Sequence, residues 1–181
     1  VDIMNSEYSD TLVVIDPGHG GHDPGAIGSK VQEKDIVLKA GLKLKDILEA
    51  KGFKVYMTRE NDEYIDLYKR ANVANKLNAD LFVSLHVNSF RDESANGIEV
   101  LYSKDDLRDN YSFARVVQDY LISFLDRFDR GVKNRPRLVV LKNTEMPAIL
   151  TEIGFLSNPS EQDLLLSDMY INKSMEAIYR G

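Results

Sequence analysis

The residues able to do chemistry in this chain are few. There are three histidines and no cysteine, so a bound metal would rest on imidazole and carboxylate, never on thiolate. His19 follows the short β-branched run Thr11–Asp16. His86 closes the apolar run Leu81–Leu85, and Glu152 closes Ala148–Thr151. Neutral imidazole suits zinc, and two histidines with one carboxylate and an open fourth position make a catalytic arrangement. Glu33 is the candidate third ligand. Taken alone, it reads better as a favourable charge at a helix N-terminus, worth about 0.3–1 kcal/mol, and it gains weight as a ligand only beside the two histidines.

Glu152 stands among Leu150, Ile153 and Phe155, where a carboxylate is costly unless it is paired or functional. Burial would raise its pKa toward the working range of a general base. Pairing with Arg59 or Arg70 is the other reading. His19 lies in Asp16–Pro17–Gly18–His19–Gly20–Gly21, whose glycines let the backbone turn sharply and approach a ligand closely. The loop lacks the Lys-Ser/Thr ending of a phosphate-binding loop. His22 is expected to stand behind the ligands or to face solvent.

These residues need a frame that gathers them. Thr11–Asp16 reads as a buried strand ended by Pro17–Gly18. Lys34–Lys51 has helical spacing, with Ile36, Ala40, Leu44 and Leu48 on one face and Gly52 at the C-terminal cap. Phe53–Thr58 reads as a strand, which completes a β-α-β unit and favours parallel pairing. Helices are expected over Asp66–Leu77 and Asn110–Phe128, with further helices starting at Asn158 and Met169. Leu81–Leu85, Gly97–Tyr102, Leu138–Leu141 and Ala148–Thr151 read as strands. The sum is a single-domain α/β layered fold, a mostly parallel twisted sheet flanked by helices on both faces. In such sheets ligands bind beyond the carboxyl ends of the strands. His19, His86 and Glu152 would all arrive at that rim. Residues 1–10 read as a polar N-terminal tail and residues 11–181 as the catalytic domain.

Composition narrows the partners. Apolar residues at 43% and charged residues at 29% are the balance of a soluble globular protein. A formal net charge of −6, without a basic stripe, argues against nucleic acid. No apolar run is long enough to span a bilayer, so no integral membrane segment is expected. The first ten residues lack the pattern of a signal peptide. A start at Val1 and a stop at Arg180–Gly181 within a helical pattern suggest a processed product.

Four ordered motifs carry a family resemblance. They are Val14–Ile15–Asp16–Pro17–Gly18–His19–Gly20–Gly21, Glu33–Lys34, Ser84–Leu85–His86–Val87–Asn88, and Met146 through Asn158 with Glu152 at its centre. Together they resemble the zinc-dependent N-acetylmuramoyl-L-alanine amidases of the amidase-3 type, from about Leu12 to the end. The resemblance implies cleavage of the amide between N-acetylmuramic acid and the L-alanine of the stem peptide. It implies zinc on His19, Glu33 and His86, Glu152 as the catalytic carboxylate, and Asn88 as a candidate substrate contact. Peptidoglycan glycan strands and stem peptides would be the partners, in the cell wall or spore envelope outside the cytoplasm. Wall-binding repeats are missing, so an activating or targeting protein, or a terminal segment absent from this chain, is expected to supply targeting. Between Val87 and Thr151 one strand, one helix and one strand use up the chain, so no inhibitory helix is expected over the site.

Three other readings share these residues. A zinc carboxypeptidase-like hydrolase of stem-peptide bonds would use the same metal chemistry. A non-catalytic wall-binding domain would not need Glu152. A metal-free glycosidase built on Glu33 and Glu152 would leave the histidines unexplained. Tyr111, Phe113 and Tyr120 are expected to be scaffold rather than a sugar platform, since Phe113 adjoins the apolar stripe of its helix.

Overall fold

The computed structural model describes residues 8–104 and 107–181. Six strands form one sheet: β1 (Leu12–Pro17), β2 (Lys54–Met57), β3 (Leu81–Asn88), β4 (Ile98–Tyr102), β5 (Asp129–Asn134) and β6 (Ala148–Phe155). Their order across the sheet is β2-β1-β3-β6-β4-β5. Every pairing is parallel except β4 against β6.

Six helices accompany the sheet: α1 (Glu33–Ala50), α2 (Leu67–Lys76), α3 (Asn110–Leu125), α4 (Val139–Lys142), α5 (Pro159–Leu165) and α6 (Asp168–Arg180). Alternation along β1 shows how they cover both faces. Val13 and Ile15 join the core built with Ile36, Ala40 and Leu44 of α1, Val117 and Leu121 of α3, and Ile171 and Met175 of α6. Val14 points the other way, into the smaller core with Ala74 of α2 and Val140 and Leu141 of α4. A sheet covered on both faces explains why its central strands are nearly continuous apolar runs.

Several sequence expectations are corrected. Leu138–Leu141 is not a strand: Leu138 caps the one-turn α4, and its carbonyl accepts from Leu141 and Lys142 N–H. A short apolar run has no period of its own to separate helix from strand, and here Val140 and Leu141 plug the smaller core. Helix α3 stops at Leu125, not Phe128, because Asp126 turns left-handed at φ 49°. The chain then forms β5, an edge strand whose sequence Asp-Arg-Gly-Val-Lys-Asn has only one apolar residue. Strands β3 and β6 run past their expected ends, so His86 and Glu152 lie within the sheet.

Of the expected polar tail, residues 1–7 lie outside the described ones; Tyr8 stacks on Phe53 with ring centroids 4.5 Å apart. Phe113 packs partly buried against the larger core, as expected. Tyr111 and Tyr120 on the same helix are 53% and 38% exposed, their rings set against Tyr102 and Phe124. Among the described residues no helix is long and apolar enough to cross a membrane.

Candidate active site

His19, Glu33 and His86 meet at one point. His19 leaves β1 in a loop, Glu33 is the first residue of α1, and His86 projects from β3. The carboxylate oxygen Oε1 of Glu33 lies 3.2 Å from His19 Nε2 and 2.9 Å from His86 Nδ1. The two rings stand edge to face, 4.9 Å between centroids. One donor atom from each of the three residues falls within 4.8 Å of the others. Backbone N–H groups fix the Glu33 carboxylate from behind: Ala26 N donates to Oε2 at 2.8 Å and Val87 N to Oε1 at 3.1 Å.

The two histidines keep Glu33 ionised. Burial works against the Glu33 charge, but the hydrogen bonds and charges of the two histidines outweigh it and hold the carboxyl well below the usual range. Burial likewise lowers the His19 pKa, but Glu33 and Asp23 raise it more. Two imidazoles around one buried carboxylate are a nitrogen and oxygen donor set that could hold a metal ion.

Asp23 is a participant that sequence reasoning missed. Its Oδ2 lies 2.8 Å from His19 Nδ1. An Nδ1–H donated there would leave Nε2 as the nitrogen able to bind a metal, the carboxylate–histidine pairing that orients metal-binding imidazoles. The signal was an acid four residues after the histidine, in the same glycine-rich loop. That loop is tightly fitted: a Cβ at Gly18 would fall 2.3–2.8 Å from the His86 ring, so only glycine lets the ring lie there. His22 is exposed and tilted against Tyr64, 4.2 Å between centroids, and is not one of the three clustered donors.

Glu152 and His86 are register partners on β6 and β3, so their side chains leave the sheet on the same face. Neither Arg59 nor Arg70 pairs with Glu152; both turn to the loop beneath His19. The residue as a whole is only half-buried, yet its Oε2 is shielded from solvent and meets no protein donor. Burial, then the charges of Glu33 and Glu99, push the Glu152 pKa well above the ordinary carboxylate value. An unpartnered carboxyl oxygen of raised basicity beside three converging donors suits a proton acceptor.

Glu99 was also missed. It is the register partner of Glu152 on β4 and is held by Arg130 Nε at 3.1 Å and Asn88 Nδ2 at 3.3 Å. A charged residue inside the apolar run Ile98–Leu101 was the available signal. Asn88, the expected substrate contact, spends its amide on Glu99 and accepts from Ser89 N at 2.8 Å.

A crevice of about 230 Å³ opens beside His19 and His86, walled by Tyr64, Leu67, Leu138, Val140 and Leu150. The unexpected one-turn helix α4 thus forms a wall of this crevice.

Residues 13–181 match the family model Amidase_3, described as N-acetylmuramoyl-L-alanine amidase. The germination-specific N-acetylmuramoyl-L-alanine amidase of Bacillus subtilis (strain 168) is 34% identical over 187 residues, covering 96% of this chain and 78% of that protein. The crystal structure of N-acetylmuramoyl-L-alanine amidase from Clostridium difficile 630 superposes with a TM-score of 0.90 at 37% identity, over 94% of this chain and 93% of that one. The CwlD amidase from Clostridioides difficile, solved in complex with the GerS lipoprotein, superposes with a TM-score of 0.89 at 34% identity, over 94% and 95% of the two chains. The chain belongs to the Amidase_3 family of N-acetylmuramoyl-L-alanine amidases.

Proposed function

We propose that this chain hydrolyses the amide between the lactyl group of N-acetylmuramic acid and the stem-peptide L-alanine of bacterial peptidoglycan, with zinc on His19, Glu33 and His86 and Glu152 as general base. One observation carries the reading. Both histidines meet the same Glu33 oxygen, and the unpartnered Glu152 carboxyl stands on the strand position paired with His86.

Each residue then has a task. Asp23 holds the His19 ring by its Nδ1, and Ala26 and Val87 hold the Glu33 carboxylate. When bound, the zinc ion supplies Lewis acidity toward water and toward the scissile carbonyl. Glu152 accepts the proton of the attacking water through a carboxyl oxygen. It returns that proton to the alanine nitrogen as the C–N bond breaks. The products are a free lactyl carboxylate on the glycan and a free amino group on the peptide. Asn88, with a second Nδ2 hydrogen beyond its bond to Glu99, is placed in the proposal as a substrate contact.

Residues 11–181 would be the catalytic domain, acting where this substrate is, outside the cytoplasm in the wall or spore envelope. The relative solved with a lipoprotein supports the expectation that a partner protein activates or targets the chain.

Purified peptidoglycan digested with the zinc-loaded protein tests the proposal. Mass spectrometry should find intact stem peptides beginning at L-alanine, together with N-acetylmuramic acid bearing a free lactyl carboxyl. Shortened stem peptides still attached to glycan would indicate a peptidase instead.

A further inference from the structure

Beneath the proposed metal ligands lie two arginines that the catalytic scheme does not use. Arg59 and Arg70 are each only 1% exposed, an unusual place for a guanidinium. Half of their hydrogen bonds go to backbone carbonyls of the loop that carries His19, and Asn61 O and Ile65 O accept two more. Arg59 Nε donates to Pro17 O at 3.0 Å, and its Nη2 donates to Gly18 O at 2.8 Å. Arg70 Nη1 donates to Pro17 O at 2.7 Å, and its Nη2 donates to His19 O at 2.6 Å. Three consecutive carbonyls are therefore gripped by two guanidinium forks.

The grip extends to the other two ligands. Arg59 Nη2 also donates to Lys34 O at 2.9 Å, one residue after Glu33. Arg70 Nη1 bonds Asp16 Oδ1 at 2.9 Å, while Asp16 Oδ2 accepts from Ser84 Oγ at 2.8 Å, two residues before His86. All three ligand-bearing segments are thus tied to this pair. The loop needs such a hold, because His19 adopts φ 59°, a left-handed conformation that disfavours residues with a Cβ. The arrangement is itself costly: among the described residues Asp16 is the sole carboxylate bonded to either guanidinium, and burial and the neighbouring Arg70 charge both press against the Arg59 cation.

We propose that Arg59 and Arg70 are positioning residues that preset the His19 loop and its distance from Glu33 and His86 before metal binds. The proposal rests on the zinc reading above. A lysine cannot replace either fork, since one ammonium cannot span carbonyls on different sides. Arg59→Lys and Arg70→Lys should lower zinc affinity about 10–100-fold, the range seen when groups supporting metal ligands are changed. Affinity is measured by competition with a chelator on folded protein, and the visible spectrum of the cobalt(II) form should broaden or shift. Folded variants that bind zinc within twofold of the parent would overturn the proposal and leave the arginines a role in stability alone.

A second measurement needs no variant. Gly18 N–H bonds Leu85 O and Gly20 N–H bonds Asp23 O. If the arginines preset the loop, both amides keep their hydrogen-exchange protection when a chelator strips the metal from the parent protein. Loss of that protection on stripping would show that the metal orders the loop, and would overturn the proposal even where a lysine variant does not fold. Parent protein that binds no zinc at all is a different failure: it removes the zinc reading and this proposal with it.

Discussion

His86 and Glu152 are direct register partners across two central parallel strands, which places a proposed metal ligand and a carboxyl of raised pKa side by side on one face of the sheet. The pairing has a consequence for stability. In metal-free protein the folded-state pKa of Glu152 is raised, first by burial and then by Glu33 and Glu99. Below the unfolded value of about 4.3 both states are protonated and the residue costs nothing through ionisation. As pH climbs past it, the unfolded state releases its proton while the fold retains it, so stability falls with rising pH. Glu152→Gln removes that penalty. The metal-free variant should melt higher than the parent at pH 7–8, by about 2–4 °C for each kcal/mol regained, and the gain should vanish near pH 4. Equal melting temperatures at pH 7–8 would mean that Glu152 is not held in a desolvated setting.

Asp23 makes a separate prediction. If its carboxylate orients the His19 ring through Nδ1, Asp23→Ala should weaken zinc binding about 10–100-fold. The fold should survive, because the side chain is exposed enough for water to replace its other bond, to Gly25 N. Chelator competition gives the affinity; an unchanged value would assign Asp23 to loop structure alone.

Gly18 tests the geometry by sterics. A methyl group at this position would meet the His86 ring at 2.3–2.8 Å, so Gly18→Ala must turn the ring or move the loop. The variant is expected to lose zinc binding and peptide release together, while circular dichroism stays that of the parent. A variant that binds zinc normally would mean that the His86 ring does not need its present place.

Much of this site was legible from sequence because its residues conflict with their surroundings. His19 and His86 follow or end apolar strands, and Glu152 interrupts one. Such departures from strand patterning point to function. What escaped depends on tertiary pairing. Arg59 and Arg70 were natural partners for Glu152 by charge, yet the fold gives them Asp16 and the carbonyls of Pro17, Gly18 and His19. Glu99 becomes relevant only once β4 lies antiparallel to β6. The misread segments have the same cause. Nothing local marks Asp129–Asn134 as an edge strand, and Leu138–Leu141 becomes helical because it fills a gap beside Ala74 and Leu150.

The most direct test of the proposed chemistry is peptide release by Glu152→Gln loaded with one zinc per chain. Glutamine keeps the shape of the side chain but cannot take the water proton. The three proposed ligands are untouched, so elemental analysis should find the full zinc content. Release of L-alanine-terminated stem peptides from peptidoglycan should fall about 10²–10⁴-fold, the usual cost of a lost general base. Near-normal release by the fully metallated variant would contradict the account, whereas loss of zinc from it would make Glu152 a ligand instead.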